Sequence, residues 1–263
     1  MIASPSPRAP PSAATPRQTA LVLGAPIDLI SPAQAVARIA EWASAHDSRV
    51  VCLCNAHSVV TAAQDARHLG VIQRADLATP DGAPVAWMLR RQGARGQQRV
   101  SGPDLMLDYC AHAAATGQAL YLLGSSPETL ARLQQRLLAR WPALRIAGAH
   151  SPPFRPLSDA EDAQLVQAIN ASGAGSVWVS LGCPLQERWM DAHRGRVQAV
   201  MVGVGAAFDF HAGSLRRAPP WMRRHGLEWL HRLGQEPRRL WRRYAVTNTA
   251  FLLRAARQLL SRQ

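Results

Sequence analysis

The sequence is poor in cysteine and has no long apolar run. It contains four cysteines in 263 residues, and two of them, Cys52 and Cys54, lie inside an apolar segment. Such scattered cysteines favour neither a disulfide framework nor a zinc site, and we expect a reducing, cytosolic environment. No stretch of 18 consecutive apolar residues occurs, which excludes an ordinary membrane-spanning helix.

The first segment lacks the features of a targeting signal. Residues 1–17 are rich in proline, serine and alanine and contain no apolar core of the secretory type. We interpret residues 1–19 as a disordered leader that carries no targeting information.

Three common ligand signatures are also missing. There is no D-x-D pair to hold a divalent metal, so we expect neither a metal site nor another cofactor. The stretch from Gly203 to Phe208 reads G-x-G-x-x-F, which lacks the third glycine and is only a partial dinucleotide fingerprint, so we expect no nicotinamide binding. No recognition-helix, zinc-finger or RNA-binding signature is present.

The formal net charge is +13, and most of it lies near the C-terminus. From Gly213 onward, twelve arginines stand against Glu228 and Glu236, a net charge of 12 − 2 = +10. A surface of this sign suits nucleic acid, anionic lipid or a phosphorylated substrate. Composition alone does not choose among these partners.

Short apolar runs that alternate with helical segments predict a parallel sheet. The runs are Arg49–Cys54, Ala75–Ala78, Ala119–Leu123, Arg145–Gly148, Ser176–Leu181 and Ala199–Val204. We therefore expect an α/β, Rossmann-like, doubly wound and mainly parallel sheet over residues 20–212. An arginine-rich helical appendage is expected over residues 213–263. We also expect one extended segment at Leu21–Ile30 and a helix at Val59–Arg67.

The stretch around Asp81 is central to the functional interpretation. Asp81 lies between Pro80 and Gly82, two residues that favour a turn, and small apolar residues flank the turn on both sides. A strand is expected to run into Thr79 and a helix to begin at Ala83. The carboxylate would then lie at the carboxyl end of a parallel strand, where ligands bind. Alternatively, Asp81 only caps the helix that follows.

Further candidates follow other predicted strands. Asn55 and His57 come directly after the first run, and successive βα junctions of a parallel sheet open on the same edge, so we expect them near Asp81. Gly124 and Ser125 form a small-residue turn. This turn either offers backbone N–H groups to a phosphate or nucleotide, or is a plain connection.

Three more polar residues have two interpretations each. Arg99 and Asp104 flank a turn that opens a helix. Both line the cleft beside Asp81, or else Asp104 caps the helix and Arg99 is solvated. Gln186 offers a donor and an acceptor that suit a base or a sugar amide, or it is a surface helix residue.

The C-terminal segment interleaves tryptophan with arginine. Such a surface can rest at a membrane interface with its cations toward phosphates, or it is a solvated basic face that covers part of the core. Arg232, Arg239 and Arg242 are 7 and 3 positions apart, so a continuous helix would place them near one face. Pro237 could interrupt that helix.

Taken together, these stretches resemble the WecG/TagA/CpsF family of bacterial glycosyltransferases. The resemblance runs from about Leu21 to Tyr244. It rests on Asn55 followed 26 positions later by Asp81 in TPDG, and then on RVSGPDL, YLLGSS, LGCPLQE, GVGAAFDFHAG, RAPPWM, GLEWLHRL and EPRRLWRRY. No single motif is decisive, but the ordered set is specific.

The resemblance implies an inverting transfer of a sugar from a UDP-sugar to a saccharide carried on a polyprenyl diphosphate. The sugar would be N-acetylmannosamine, its uronic acid or glucose. Asp81 would be the catalytic base. The other residues expected to contact substrate are Asn55, His57, Thr79, Arg99, Gly102, Asp104, Gly124, Ser125, Gln186, Arg232, Arg239 and Arg242.

The resemblance also implies a location. Members act at the inner face of the bacterial plasma membrane, where the appendage arginines are thought to close over the active site. We therefore expect a cytoplasmic, peripheral protein whose partners are the UDP-sugar, the lipid-linked acceptor and an anionic membrane surface, without nucleic acid. A homo-oligomer is left open.

One position departs from the family pattern. Leu53 stands where members often carry threonine, two residues before the asparagine, so a hydroxyl contact there would have to be replaced by Cys54 or His57. Two rival functions are weighed against the transferase: a basic nucleic-acid-binding protein, and a membrane-associated scaffold that keeps the fold without catalysis.

Overall fold

Eight strands form two sheets in the computed structural model, which describes residues 17–261. They are β1 (Thr19–Val22), β2 (Ala25–Asp28), β3 (Arg49–Cys54), β4 (Leu77–Pro80), β5 (Ala119–Gly124), β6 (Arg145–His150), β7 (Ser176–Ser180) and β8 (Val200–Gly203). β1 and β2 pair in antiparallel fashion. The other six strands form one all-parallel sheet in the order β4-β3-β8-β7-β5-β6.

Twelve helices accompany these strands within the described residues. They are α1 (Pro32–Ser44), α2 (Ala56–Ala62), α3 (Ala66–Arg74), α4 (Ala83–Arg91), α5 (Gly102–Thr116), α6 (Pro127–Arg140), α7 (Asp159–Ala171), α8 (Leu185–Ala192), α9 (Ala207–Ala212), α10 (Pro220–Arg224), α11 (Glu228–Gln235) and α12 (Pro237–Leu260). None of them combines the length and apolar character needed to cross a bilayer.

Helices cover both faces of the large sheet. Along β3, Val50 and Cys52 belong to one buried cluster, while Val51 and Leu53 belong to the other, because successive strand residues point to opposite faces. A strand buried on both faces needs a continuous apolar run, which is the pattern that located it in the sequence. The expected Rossmann-like, doubly wound α/β fold is confirmed.

We predicted a single extended segment at Leu21–Ile30. The structure instead has a hairpin there, whose turn and second strand lie within this segment. β1 and β2 are joined by Leu23 and Gly24, whose φ angles are 52° and 88°. Two-residue turns with positive φ match the twist of antiparallel strands. The prediction was wrong because leucine seldom marks such a turn.

The predicted leader, residues 1–19, lies outside the described residues except for its last three. Of these, Arg17 Nη2 lies 2.7 Å from Asp28 Oδ2, and Thr19 begins β1. The folded part of the chain therefore includes residues before the predicted boundary at residue 20.

The helix predicted at Val59–Arg67 is instead two helices. α2 begins earlier than expected because the Asn55 side chain accepts hydrogen bonds from two backbone N–H groups at its N-terminus. The Asp65 side chain does the same for α3. Two N-caps so close together favour a break in the helix between them.

The C-terminal helices return to the core. Pro237 begins α12 and separates it from α11, so the helix is interrupted at this proline. α12 packs against α2, and its Phe251 and Ala255 are buried in a core cluster. Gln258 Oε1 accepts the Leu23 N–H at 2.8 Å. The second half of α12 is thus integrated with the core.

Asp28 supplies a hydrogen-bond acceptor at the β4 edge of the large sheet. Its Oδ2 accepts the N–H of Ala78, on edge strand β4, at 2.6 Å, and it also pairs with Arg17. We predict that Asp28→Ala lowers the free energy of unfolding by about 2 kcal/mol, because a buried N–H loses its acceptor. Urea denaturation measures this change.

The matched control is Asp47→Ala, which removes a more exposed carboxylate 3.4 Å from Arg49. It should change the free energy of unfolding by less than about 1 kcal/mol. Equal effects of the two substitutions would contradict the role given to Asp28.

Candidate active site

The carboxyl edge of the parallel sheet brings Asn55 and Asp81 together. Asn55 follows β3 and Asp81 follows β4, and these strands are neighbours. The Asp81 N–H donates to Cys54 O at 3.1 Å, and a Cβ on Gly82 would lie 3.7 Å from the Asn55 Cβ. The two junctions therefore form one surface, as their order in the sequence predicts.

Asp81 presents a carboxylate that is not used in capping. The N-cap of α4 is Gly82, with a φ of 84°, and no side chain accepts a hydrogen bond there. The alternative interpretation of Asp81 as a helix cap is therefore wrong. Among residues 17–261, Asp81 also forms no ion pair within 4.0 Å, although arginines lie nearby.

The pKa of Asp81 is raised to about 6, chiefly by burial. Arg99 opposes the rise, Glu228 adds to it, a hydrogen bond from the Asn55 side chain opposes it, and Asp104 adds to it. A carboxyl group with this pKa is mostly ionised at pH 7 but accepts a proton more readily than an ordinary aspartate. These are the properties of a general base.

An ion-pair network joins the C-terminal helices to the core beside Asp81. Arg99 Nη1 lies 2.9 Å from Glu228 Oε2, on α11, and Arg99 Nη2 lies 3.8 Å from Asp104 Oδ2. Arg217 donates to both oxygens of Asp104 at 2.6 Å. Arg99 is therefore not merely solvated, and no side chain caps α5.

Asp104 and Asp81 respond in opposite ways to the same surroundings. Burial alone would raise the pKa of Asp104, but hydrogen bonds from Arg217 and Ser101 outweigh burial and lower the pKa to about 2. Asp104 is thus permanently ionised and neutralises arginine. Asp81 is left as the carboxylate that can exchange a proton near neutral pH.

His57 lies in the first turn of α2, directly after the end of β3. Burial, the positive charge of Arg243 and then His68 lower the pKa of His57 to about 4. The imidazole is therefore neutral at pH 7 and can both donate and accept a hydrogen bond. α12, which carries Arg243, packs against α2 and so lies near the carboxyl end of β3.

The turn after β5 has a packing reason for its sequence. A Cβ on Gly124 would lie 2.3 Å from Ser180 O, so only glycine fits against β7. The Ser125 N–H donates to Ser180 O at 3.1 Å and is not free for a phosphate. The Ser125 side chain faces Asp209. The pKa of Asp209 is raised, chiefly by burial, and Arg232 opposes this rise. Because the Ser125 N–H is already bonded within the protein, the turn is better described as a simple βα connection than as a phosphate-binding loop.

Three residues predicted to contact substrate are buried. Thr79 is fully buried, and its hydroxyl has no partner among the described residues. Gln186 is 3% exposed and its Oε1 accepts the Gly205 N–H at 3.0 Å, so its interpretation as a surface residue is wrong. Gly102 permits close packing, since a Cβ there would lie 3.0 Å from Val204 O. Their contact with substrate stays a prediction.

Leu53 also has a packing role. Its side chain is buried, and Cδ2 would lie 3.2 Å from a Cβ on Gly102. At this position, therefore, an apolar side chain fills the space between β3 and the start of α5.

The predicted common face of Arg232, Arg239 and Arg242 is absent because Pro237 interrupts the helix. Arg232 lies on α11 and is nearly buried, while the other two lie on α12 and are exposed. Arg232 and Arg239 nevertheless converge on Glu236, at 2.8 and 2.9 Å.

Residues 20–263 match the sequence model of the Glycosyl transferase WecG/TagA/CpsF family. The match covers essentially the whole chain. The chain belongs to this family. It is therefore a glycosyltransferase of cell-surface polysaccharide synthesis, and the resemblance seen in the sequence is confirmed.

The structure adds candidate site residues that the sequence motifs did not predict for this WecG/TagA/CpsF-family glycosyltransferase. Glu228, Arg217 and Asp209 lie around the same sheet edge, although the first two come from the C-terminal segment. The motif RAPPWM contains Arg217 and the motif GLEWLHRL contains Glu228. The ion pairs that these residues form depend on tertiary contacts, which the motifs do not encode. No group of three His, Cys, Asp or Glu residues suited to a metal occurs within residues 17–261.

Glu228 gives a direct test of the electrostatics. Its negative charge raises the pKa of Asp81, and it pairs with Arg99, whose charge lowers that pKa. We predict that Glu228→Gln lowers the pKa of Asp81 from about 6, because both changes favour the carboxylate. Carboxyl-carbon NMR titration of the protein measures the shift.

The control is Glu41→Gln on the exposed side of α1, which removes the same charge far from the network. It should leave the Asp81 titration unchanged. A rise in the Asp81 pKa on Glu228→Gln would contradict the described arrangement.

Proposed function

We propose that this glycosyltransferase moves a sugar from a UDP-sugar to a saccharide carried on a polyprenyl diphosphate, with inversion at the anomeric carbon and Asp81 as the base. The sugar is of the N-acetylmannosamine, N-acetylmannosaminuronic acid or glucose type. The observation that carries the proposal is the partly buried Asp81, with a pKa raised to about 6 and arginines on one side.

The role of Asp81 follows from the demands of one displacement. The acceptor hydroxyl loses its proton as the bond from its oxygen to the anomeric carbon forms. A carboxylate that is desolvated, ionised and not tied up in an ion pair can accept that proton. A hydrogen bond from the Asn55 side chain, at the neighbouring β3 junction, favours the ionised form of Asp81.

The leaving nucleoside diphosphate needs positive charge that is already in place. Breaking the bond between the anomeric carbon and the phosphate oxygen leaves negative charge on the diphosphate. Arg99, Arg232 and Arg239 are the proposed stabilising groups, with the Ser125 hydroxyl as a further contact. We propose that these guanidinium groups take the place of a divalent metal.

The membrane surface is the proposed location of the acceptor. α12 carries Val246, Leu253 and Leu260 at intervals of seven residues, and each is at least 60% exposed. Arginines occupy the first two turns of the same helix. An exposed apolar row that follows a basic segment suits an anionic bilayer at the cytoplasmic face, where cations meet phosphates and leucines enter the interface.

The rival functions make different demands. A nucleic-acid-binding protein is expected to carry a recognition-helix, zinc-finger or RNA-binding signature, and the sequence contains none. A scaffold without catalysis would not need the raised pKa of Asp81. Both arguments favour the transferase.

The decisive experiment is turnover of a panel of UDP-sugars by Asp81→Asn with a lipid-diphosphate sugar acceptor. The amide keeps the shape of the side chain but accepts no proton, so we predict a loss of roughly 10²- to 10⁴-fold in kcat/KM with normal folding. Excess chelator should leave wild-type turnover unchanged.

Asp159→Asn, on the exposed first turn of α7, is the matched control and should keep full activity. Near-normal turnover of Asp81→Asn would place the base elsewhere. Loss of wild-type turnover in chelator, with recovery on adding magnesium or manganese, would contradict the role given to the arginines.

Membrane contact is tested by flotation with vesicles that contain anionic lipid. We predict that Leu253→Gln combined with Leu260→Gln lowers vesicle affinity by about tenfold or more, because two exposed apolar side chains no longer enter the interface. Leu138→Gln with Leu185→Gln, which changes exposed leucines on α6 and α8, should have no effect. Equal flotation of both double variants would exclude α12 as the anchor.

A further inference from the structure

A pocket of about 360 Å³ lies between α4 and α10, beside the Asp81 loop. One wall is the face of α4 that carries Ala83, Ala86 and Arg90, and the opposite wall carries Arg223 and Arg224. Its volume is in the range of small-molecule sites. None of the residues that form these two walls was assigned a role by the sequence motifs.

The pocket is held against the catalytic loop by close packing. Ala83 lies two residues after Asp81, and a Cβ on Gly226 would lie only 2.7 Å from the Ala83 Cβ. The turn between α10 and α11 therefore rests on the first turn of α4. Arg99, whose charge acts on Asp81, lines the same pocket.

The pocket carries an excess of positive charge. Arg90, Arg99, Arg223 and Arg224 line it. With Arg217, which belongs to the same ion network, these are five guanidinium groups against three carboxylates, Asp81, Asp104 and Glu228, a difference of 5 − 3 = +2.

Part of this positive charge has no carboxylate partner among the described residues, although Arg90 Nη1 donates to Gln97 O at 3.0 Å. Among the described residues, Arg90 and Arg224 form no ion pair within 4.0 Å. The Nε of Arg223 is buried and has no hydrogen-bond partner. A buried donor without an acceptor is costly unless a ligand supplies one. The chain has no lysine, and arginine is the cation whose planar fork matches phosphate oxygens.

We propose that this pocket binds the diphosphate group of one of the two substrates. The proposal rests on the proposed function, in which both the UDP-sugar and the lipid-linked acceptor carry a diphosphate. The pocket lies beside the base, so a diphosphate held there would place an attached sugar near Asp81. Arg90 and Arg224 supply the unpaired charge, and Arg223 supplies the unsatisfied donor.

Titration calorimetry with inorganic pyrophosphate tests the site without any turnover. We expect the wild-type protein to bind pyrophosphate, and Arg90→Gln combined with Arg224→Gln to weaken binding by about tenfold or more, since each lost charge-assisted contact contributes to affinity. Arg67→Gln with Arg132→Gln, on exposed parts of α3 and α6, removes the same charge elsewhere.

The proposal fails if the wild-type protein does not bind pyrophosphate, or if the two double variants bind it equally, since attraction by net charge alone would then explain the affinity. Arg224→Lys should restore part of the binding, because it returns the charge without the fork. Asp81→Asn should bind pyrophosphate at least as tightly as the wild-type protein, because it removes a negative charge beside the pocket.

Steady-state kinetics of the Arg90/Arg224 double variant then identify the source of the diphosphate. A raised KM for the lipid-linked acceptor alone assigns the pocket to the acceptor. A raised KM for the UDP-sugar with weaker inhibition by UDP assigns it to the donor. No change in either would overturn the proposal. Failure of every UDP-sugar to react would instead count against the proposed function, because the pyrophosphate titration is independent of it.

Discussion

The pKa of Asp81 depends on the ion pairs that its charged neighbours form with one another. Arg99 and Arg217 pair with Glu228 and Asp104, and Asp81 itself has no ion pair within the described residues. Burial then raises the pKa of Asp81, while Asp104, bonded to Arg217, has a pKa of about 2. Two carboxylates of the same type thus acquire different chemistry from their partners.

The ion pair between Arg99 and Glu228 explains why the C-terminal helices matter to the site. Glu228 reaches Arg99 only because the turn at Gly226 rests on α4, and α12 is fixed by Phe251 in the core. The site is therefore assembled from the sheet edge and from helices far away in the sequence. Loss of contact between α11 and the core would change the charge around Asp81.

The sequence predicted what local patterns determine. Buried parallel strands need continuous apolar runs, and junctions such as TPDG come at their carboxyl ends, so the sheet and the place of Asp81 could be read directly. The hairpin turn at Leu23 was not predicted because leucine seldom adopts a positive φ. The break before Asp65 was not predicted because its sequence signal is a single N-cap residue. The partners of Arg99 and the burial of Gln186 depend on tertiary packing, which local patterns do not encode.

The central claim is that Asp81 acts as the ionised base with a raised pKa, and the pH dependence of kcat/KM tests it most directly. The account predicts that kcat/KM rises with pH through about 6 and then levels off, because the base must be ionised in the free enzyme. Glu228→Gln should move this inflection to lower pH. A wild-type profile that is flat through pH 6, or an inflection that remains in Asp81→Asn, would contradict the account.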